Sequence, residues 1–85
     1  MRDVKFSKNS FKEFSAWAVE NKKLYERITE LIETARRTPF EGIGKPEALK
    51  HDLKGCWSRR IDNEHRLVYA VAANEIVIIS CKFHY

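Results

Sequence analysis

Three strand-like segments decide the fold, and they lie in residues 56–85, CWSRRIDNEHRLVYAVAANEIVIISCKFHY. Each segment is rich in β-branched or aromatic residues, and short polar turns at 62–64 and 73–74 separate one segment from the next. Turns of this length join neighbouring antiparallel strands. The pattern therefore predicts a largely antiparallel sheet in the second half of the chain.

Side-chain alternation divides each predicted strand between the two faces of that sheet. On the first strand, Trp57, Arg59 and Ile61 alternate with Ser58 and Arg60. On the last strand, Cys81, Phe83 and Tyr85 alternate with Ser80, Lys82 and His84. We therefore expect His84 to lie on the polar face, where the neighbouring strands carry Arg60 and Arg66.

The first half of the chain predicts one short strand and two helices. Val4 and Phe6 alternate with charged residues, and Ser7 is a suitable N-cap for the helix that follows. The apolar residues of this first helix recur at helical spacing and are Phe11, Phe14, Trp17 and Ala18. A second helix, capped by Asn21 and ended by Thr38-Pro39, has a more regular apolar face made of Leu24, Ile28, Leu31, Ile32 and Ala35.

Helices that precede the strands, rather than alternate with them, indicate the α+β class. We predict one domain over residues 1–85, with the two helices packed on one face of a small, largely antiparallel sheet. Large aromatic residues usually pack in cores of this size. The ones expected there are Phe11, Phe14, Trp17, Phe40, Trp57 and Tyr69.

Residues 39–55 lack a regular pattern and hold all three glycines and both prolines of the chain. We predict a loop with a single helical turn at 46–49, because proline is favoured at the first position of a helix. Loops of this length often carry binding or catalytic residues. This loop is therefore the first place to look for functional side chains.

Composition and charge narrow the class of protein. The 85 residues are 44% hydrophobic and 33% charged, which is typical of a folded globular chain. No apolar run approaches the roughly 20 residues that span a bilayer, and the first ten residues lack the apolar region of a signal peptide. We expect a cytoplasmic protein with no membrane partner. The net charge of +4 permits an anionic partner without requiring one.

The cysteines do not indicate a metal site. Cys56 and Cys81 are far apart in sequence, and neither has a second cysteine or a histidine at the spacing of known zinc sites. We expect two free thiols, no metal and no cofactor. Any catalysis then has to come from acidic, basic and cationic side chains.

RNA cleavage by the substrate's own 2'-hydroxyl needs such a set of side chains. It requires a base for the hydroxyl proton, an acid for the 5'-oxygen and cations for the phosphate. Glu47 is the candidate base, His84 the candidate acid and Arg66 the candidate phosphate ligand. Lys50, His51 and Arg60 are candidate supporting charges, and Tyr85 is a candidate for stacking on a base. Taken singly, each charged residue is also compatible with a solvated surface position, and Tyr85 with the edge of the core.

Four stretches of the chain closely resemble the YoeB branch of the RelE-like toxins. They are RRTPFEGIGKPEALKH at 36–51, WSRRI at 57–61, EHRLVYAV at 64–71 and CKFHY at 81–85. The similarity in length and in the order of elements covers essentially the whole chain. The resemblance implies a microbial-ribonuclease-like fold. It also implies a type II toxin-antitoxin system, in which a small ribonuclease cuts mRNA in the ribosomal A site and a YefM-like antitoxin inhibits it.

The resemblance also implies roles for individual residues. The general base falls on Glu47, the phosphate-binding arginine on Arg66, the general acid on His84 and a substrate-contacting tyrosine on Tyr85. Cleavage would be metal-independent and would leave a 2',3'-cyclic phosphate and a 5'-hydroxyl. The alternative is a non-catalytic RelE- or ParE-like toxin that inhibits by binding gyrase or the ribosome. Codon preference, antitoxin stoichiometry and formation of a homodimer are left open.

Overall fold

The computed structural model describes residues 1–83. In chain order its elements are β1 (Asp3–Phe6), α1 (Lys8–Glu20), α2 (Lys22–Arg37), β2 (Glu47–Ala48), a 3₁₀ turn (His51–Leu53), β3 (Cys56–Arg60), β4 (Arg66–Val71) and β5 (Glu75–Ser80). Two helices precede a run of closely spaced strands, so the predicted α+β class is confirmed.

The sheet has five strands in the order β1-β5-β4-β3-β2, of which β1 runs parallel to β5 and the other neighbours are antiparallel. A bulge interrupts the pairing of β4 with β5, because Val68 lies opposite Ser80 while Tyr69 lies opposite Ile78. The extra residue in β5 shifts the alternation by one position. Ile78 and Cys81 therefore both belong to the buried core, although they are three positions apart.

Both predicted helix caps are present, and α2 has the predicted core face. The Ser7 side chain accepts a hydrogen bond from the amide of Ser10, and the Asn21 side chain accepts one from the amide of Leu24, each at 3.2 Å. α2 ends at Arg37, just before Thr38-Pro39. Its buried residues are Ile28, Leu31, Ile32 and Ala35.

The buried face of α1 differs from the predicted one. Phe11 is 58% exposed and Ala18 is exposed, whereas Ser10 and Trp17 are buried. The reason is a hydrogen bond, because the Ser10 hydroxyl donates to the carbonyl of Ile78 at 2.7 Å. The spacing of apolar residues does not reveal a serine that faces the core to donate a hydrogen bond to a strand carbonyl.

β5 continues beyond the end of β1. There the N-cap residue Ser7 and side chains of α1 form the hydrogen bonds to this segment that a further strand would otherwise form. The amide of Ser7 donates to the Ile78 carbonyl at 3.1 Å. Glu13 Oε1 accepts from the amide of Cys81 at 2.8 Å, and Trp17 Nε1 donates to the Cys81 carbonyl at 2.9 Å. α1 thereby fixes the segment that follows β5.

The loop between α2 and β3 does not contain the predicted helical turn at 46–49. Glu47 and Ala48 instead form β2, opposite Ser58 and Trp57 of β3. Strand pairing gives these residues hydrogen-bonding partners at the edge of the sheet, whereas a solitary helical turn is costly to nucleate. The helical residues of this loop are the 3₁₀ turn His51–Leu53.

Two of the six aromatic residues predicted for the core are more than half exposed, so those two predictions are wrong. Phe11 lies edge-on to Phe6, with ring centroids 6.0 Å apart, and Phe40 packs against Trp57 at 5.0 Å. Both rings cover the margin of the core rather than fill it. The other four predicted residues lie in the core or pack against it.

A fully buried arginine holds the loop against the sheet. Arg59 is 0% exposed, and its Nε donates to Tyr69 Oη at 2.9 Å. Its two Nη atoms donate at 2.6–2.9 Å to three loop carbonyls, those of Thr38, Glu41 and Ile43. Tyr69 Oη in turn donates to the Pro39 carbonyl at 2.6 Å. Burial raises the pKa of the Tyr69 phenol above its ordinary value, although the hydrogen bond and the charge of Arg59 act in the opposite direction.

Two glycines allow this loop to approach α2 and Arg59 closely. Gly42 and Gly44 have φ angles of +113° and +84°, which residues other than glycine rarely adopt. A Cβ at Gly44 would lie 2.7 Å from Leu31 Cδ2, and a Cβ at Gly42 would lie 3.2 Å from Arg59 Nη1. The Gly44 carbonyl accepts from the amide of Arg60 at 2.7 Å, so the loop is joined to β3 immediately before β2.

We predict that Arg59→Met lowers the free energy of unfolding by about 3 kcal/mol or more, because it removes the donors of three loop carbonyls and of the Tyr69 hydroxyl. The matched control is Arg60→Met at the neighbouring exposed position, which should change this free energy by less than about 0.5 kcal/mol. Urea unfolding followed by circular dichroism measures both. Equal losses in the two variants would contradict a structural role for Arg59.

The buried thiol of Cys81 should make stability depend on pH. Burial, followed by the charge of Glu13, raises the pKa of this thiol from 9.0 to about 12, against the opposing charge of Lys82. Above pH 9 the unfolded chain loses the thiol proton while the folded protein keeps it. The free energy of unfolding therefore falls as the pH rises from 9 to about 12, by up to about 1.4 kcal/mol per pH unit from this group.

We predict that Cys81→Ala removes this part of the pH dependence, whatever its effect on stability at neutral pH. Cys56→Ala is the matched control, since Cys56 is the other free cysteine and is only partly buried. Urea unfolding at a series of pH values gives the slopes of the three proteins. A wild-type slope that Cys81→Ala leaves unchanged would show that this thiol is not held protonated by folding.

Candidate active site

Three of the five predicted site residues that the structure describes share one face of the sheet. Glu47 on β2 lies directly opposite Ser58 on β3, and Arg60 on β3 lies directly opposite Arg66 on β4. Directly opposite residues place their side chains on the same face, as do residues two positions apart on one strand. Glu47, Arg60 and Arg66 therefore lie on one face, and the buried Leu67, which follows Arg66, lies on the other.

The spacing of the strands gives the scale of this surface. Neighbouring strands lie about 4.8 Å apart, so β2 and β4 are separated by about 10 Å. Glu47 and Arg60 are exposed and Arg66 is half-buried. A carboxylate and a guanidinium at the ends of long side chains can approach one substrate group from the two sides of this gap.

The turn between β3 and β4 fixes Arg66. Asp62 Oδ1 accepts from the amides of Glu64 and His65 at 2.9 and 2.7 Å. Arg66 Nη1 donates to the carbonyls of Asp62 and His65 at 2.7 and 3.1 Å. Within residues 1–83, Nη1 is the guanidinium nitrogen of Arg66 that donates hydrogen bonds. Its Nε and Nη2 donors therefore form an edge suited to bidentate binding of an anion.

Lys50 and His51 follow β2 and are both exposed. Lys50 precedes the 3₁₀ turn and His51 begins it, with a positive φ of 59°. The amide of Leu49 donates to the carbonyl of Cys56 at 2.9 Å, which holds this segment at the edge of β3. Both residues thus lie on the same loop as Glu47, within a few positions of it.

His84 and Tyr85 lie outside the described residues, so their predicted roles stay predictions. The last strand ends at Ser80, earlier than the alternation along 80–85 assumed. Phe83 has a positive φ of 61°, which an extended strand does not have. Simple alternation therefore does not determine the face on which His84 lies.

The chain at Phe83 nevertheless lies beside Arg66. The amide of Phe83 donates to His65 Nδ1 at 2.7 Å, and the Phe83 carbonyl accepts from the amide of Arg66 at 2.8 Å. The residue directly before His84 is thus bonded to the backbone that carries the candidate phosphate ligand. Sequence reasoning assigned no role to His65, because a lone histidine after a turn forms no pattern.

Arg59 was also missed, although its position contained a signal. It alternates in phase with Trp57 and Ile61, so the predicted strand already placed it on the face opposite Arg60. A charged residue on an apolar face is buried only when its donors are satisfied. The observed contacts to the loop are what satisfy it.

Two surface cavities formed by residues 1–83, of about 390 and 400 Å³, lie away from Glu47 and Arg66, one at the end of α2 and one beside the start of β1. Within residues 1–83, no three His, Cys, Asp or Glu side chains are grouped so that they could hold a metal ion. No helix in that range is long and apolar enough to cross a membrane.

Sequence comparison identifies close relatives of the chain. A family model described as YoeB-like toxin of bacterial type II toxin-antitoxin system matches residues 6–85. Toxin YoeB of Escherichia coli strain K12 is 51% identical over 80 residues, which cover 94% of this chain and 95% of that protein. Toxin RelK of Mycobacterium tuberculosis strain H37Rv is 46% identical over 85 residues, which cover both chains completely.

Solved structures are similar over the same length. The YoeB/ParE toxin from Agrobacterium tumefaciens has a TM-score of 0.93 at 41% identity and covers 98% of this chain and 99% of its own. The YoeB dimer from Staphylococcus aureus has a TM-score of 0.92 at 46% identity, covering 99% and 98%. YafQ from E. coli strain BL21(DE3) has a TM-score of 0.71 at 18% identity, with 99% and 94% covered, and shares the fold alone. With the family model matched from residue 6 to 85 and relatives about half identical along their whole length, the chain belongs to the YoeB toxin family of type II toxin-antitoxin systems.

Proposed function

We propose that this toxin is a ribosome-dependent endoribonuclease, which cleaves mRNA in the ribosomal A site and is inhibited by a YefM-like antitoxin. The observation that carries the proposal is the shared sheet face of Glu47 and Arg66, together with the hydrogen bond between Arg66 and Phe83. A carboxylate, an anion-binding guanidinium and the segment leading to His84 then meet at one surface.

The proposed reaction moves the phosphorus–oxygen bond from one ribose oxygen to another. Glu47 takes the proton of the 2'-hydroxyl, and the 2'-oxygen attacks the adjacent phosphorus. His84 gives a proton to the 5'-oxygen of the next nucleotide as its bond to phosphorus breaks. The products are a 2',3'-cyclic phosphate and a 5'-hydroxyl. The step is redox-neutral, and both protons are exchanged with these two side chains.

Arg66 would stabilise the negative charge that develops on the phosphate. Its Nη1 is held by two carbonyls of the turn, so the guanidinium is oriented before the substrate arrives. Donors oriented in advance stabilise a transition state without reorganisation. Lys50, His51 and Arg60 would add positive charge around the RNA, and Tyr85 would stack on a base.

The modest net charge of the chain supports dependence on the ribosome. An enzyme that holds free RNA needs many contacts with phosphate, whereas this chain has a net charge of only +4. A ribosome that holds mRNA in its A site would supply the missing positioning, which accounts for much of the rate of a well-oriented reaction.

We predict that Glu47→Gln, Arg66→Ala and His84→Ala each slow mRNA cleavage on programmed ribosomes by about 10²- to 10⁴-fold, because each removes a base, an anion ligand or an acid. The measurement is primer extension on a defined mRNA, which reports new 5' ends. Glu26→Gln is the matched control for Glu47→Gln, since Glu26 is an exposed carboxylate on α2 and should leave the rate unchanged. Tight ribosome binding by the wild type without new 5' ends would instead favour a non-catalytic toxin.

We predict that wild-type cleavage on ribosomes persists in EDTA when free Mg²⁺ is kept constant so that the ribosomes stay intact. The proposed proton transfers use side chains alone, so removal of transition metals should not alter the rate.

Naked RNA of the same sequence should be cleaved far more slowly than RNA on the ribosome. Equal rates on naked and ribosome-bound RNA would contradict the positioning role of the ribosome.

The antitoxin partner is proposed from the relatives. A structure of a YoeB-YefM complex from Staphylococcus aureus has a TM-score of 0.90 and 46% identity to this chain. We extend that pairing to this chain, and a homodimer by likeness to the Staphylococcus aureus YoeB dimer. An adjacent reading frame for a small acidic protein should suppress toxicity on co-expression and co-purify with the toxin. Light scattering reports the stoichiometry of the toxin alone and of the complex.

A further inference from the structure

We propose that His65 is a positioning residue, whose Nδ1 holds the backbone of Phe83 and so places the His84 acid at the substrate. The proposal rests on the function proposed above, because it takes His84 to be the proton donor. His65 itself is buried and is given no part in proton transfer.

The hydrogen bond defines the chemical state of His65. The amide of Phe83 lies 2.7 Å from Nδ1, and a backbone amide can only donate. Nδ1 must therefore be unprotonated, so the imidazole is neutral with its proton on Nε2. Nε2 lies 3.5 Å from Oε1 of Glu64, so this carboxylate is placed to attract the Nε2 proton. The site thus needs an acceptor at Nδ1, and not a positive charge.

The ring is held in this orientation by its aromatic neighbours. His65 is only 6% exposed, with its ring edge-on to Trp17 at 4.9 Å and 5.5 Å from the ring of Phe83. Trp17 is itself fixed by the hydrogen bond from its Nε1 to the carbonyl of Cys81. α1 and the start of β4 therefore hold successive parts of the segment 81–83.

The backbone of Phe83 needs this support. Its φ of +61° is rare for a bulky residue and persists only where surrounding contacts impose it. The Phe83 side chain is more than half exposed, so burial of the ring supplies little of the restraint. The backbone contacts that impose the conformation are those to His65 Nδ1 and to the amide of Arg66.

Arg66 connects the segment before the proposed acid with the proposed phosphate site. Its amide donates to the Phe83 carbonyl, while its guanidinium belongs to the sheet face proposed to bind the phosphate. Loss of the His65 bond would leave Phe83 anchored on one side only and allow the following residue to shift. Since a displacement of about 1 Å at a reacting group can cost about 100-fold in rate, the bond should matter for catalysis more than for folding.

Two variants separate the acceptor from the ring. His65→Asn keeps an acceptor oxygen at the position of Nδ1 but loses the aromatic contact with Trp17. His65→Phe keeps a ring against Trp17 but has no acceptor. A purely structural role predicts that activity follows stability, and the ring contact makes His65→Phe the more stable of the two. The positioning role predicts the opposite order of activity.

The experiment is single-turnover cleavage on programmed ribosomes at saturating toxin, with each rate corrected for the folded fraction. We expect His65→Phe to slow cleavage by about 10- to 100-fold, with the half-saturating toxin concentration unchanged. His65→Asn should stay within a few-fold of wild type. Hydrogen exchange of the Phe83 amide, followed by NMR, should accelerate in His65→Phe and remain slow in His65→Asn.

The outcomes separate this inference from the function on which it rests. Wild-type toxin that makes no new 5' ends on ribosomes overturns both. Wild-type cleavage together with an equally fast His65→Phe variant overturns the positioning role alone, as does a loss of rate that follows stability in both variants. If His65→Phe does not fold, hydrogen exchange of the Phe83 amide in wild-type toxin serves instead, because it reports the bond to His65 Nδ1 directly. This amide should exchange slowly, and exchange as fast as that of an unstructured backbone amide would overturn the proposal.

Discussion

The buried guanidinium of Arg59 joins the sheet to the long loop, and the location of the candidate carboxylate depends on it. Its partners are neutral oxygens, three of them loop carbonyls. A buried cation deprived of such acceptors is very costly, so the loop stays in place as long as Arg59 stays inside. The same loop bonds β3 through Gly44 and then forms β2, which carries Glu47. A fully buried residue thus determines where a catalytic candidate lies.

Most of the fold could be predicted, because its main elements have strong local patterns. The regular apolar face of α2 and the turns at 62–64 and 73–74 agree with the structure. α1 was predicted with the wrong face, since Ser10 faces the core for the sake of a hydrogen bond rather than for apolar burial. β2 has two residues, too few for any periodicity, and exists because the edge of β3 offers it partners.

The site was predictable to the extent that it depends on strand alternation and on motif. Alternation placed Arg60 and Arg66 on one face, as the strand register now shows. His65 gave no signal, because its role depends on the backbone of Phe83, a residue distant in sequence. The bulge in β5 and the positive φ of Phe83 are likewise products of tertiary contacts, so simple alternation does not extend to residue 84.

The position of β5 has a consequence for folding of the protein. β5 is the last strand in chain order, yet it lies between β1 and β4, with Asp3 paired to Glu75. Pairing over such a long separation forms slowly, because the cost of closing the intervening loop precedes the gain from non-local contacts. Until then β1 has no neighbouring strand and Phe83 is not available to Arg66. The candidate site is therefore complete only after contacts between residues far apart in the sequence have formed, so it depends on the whole sheet and not on the local loop alone.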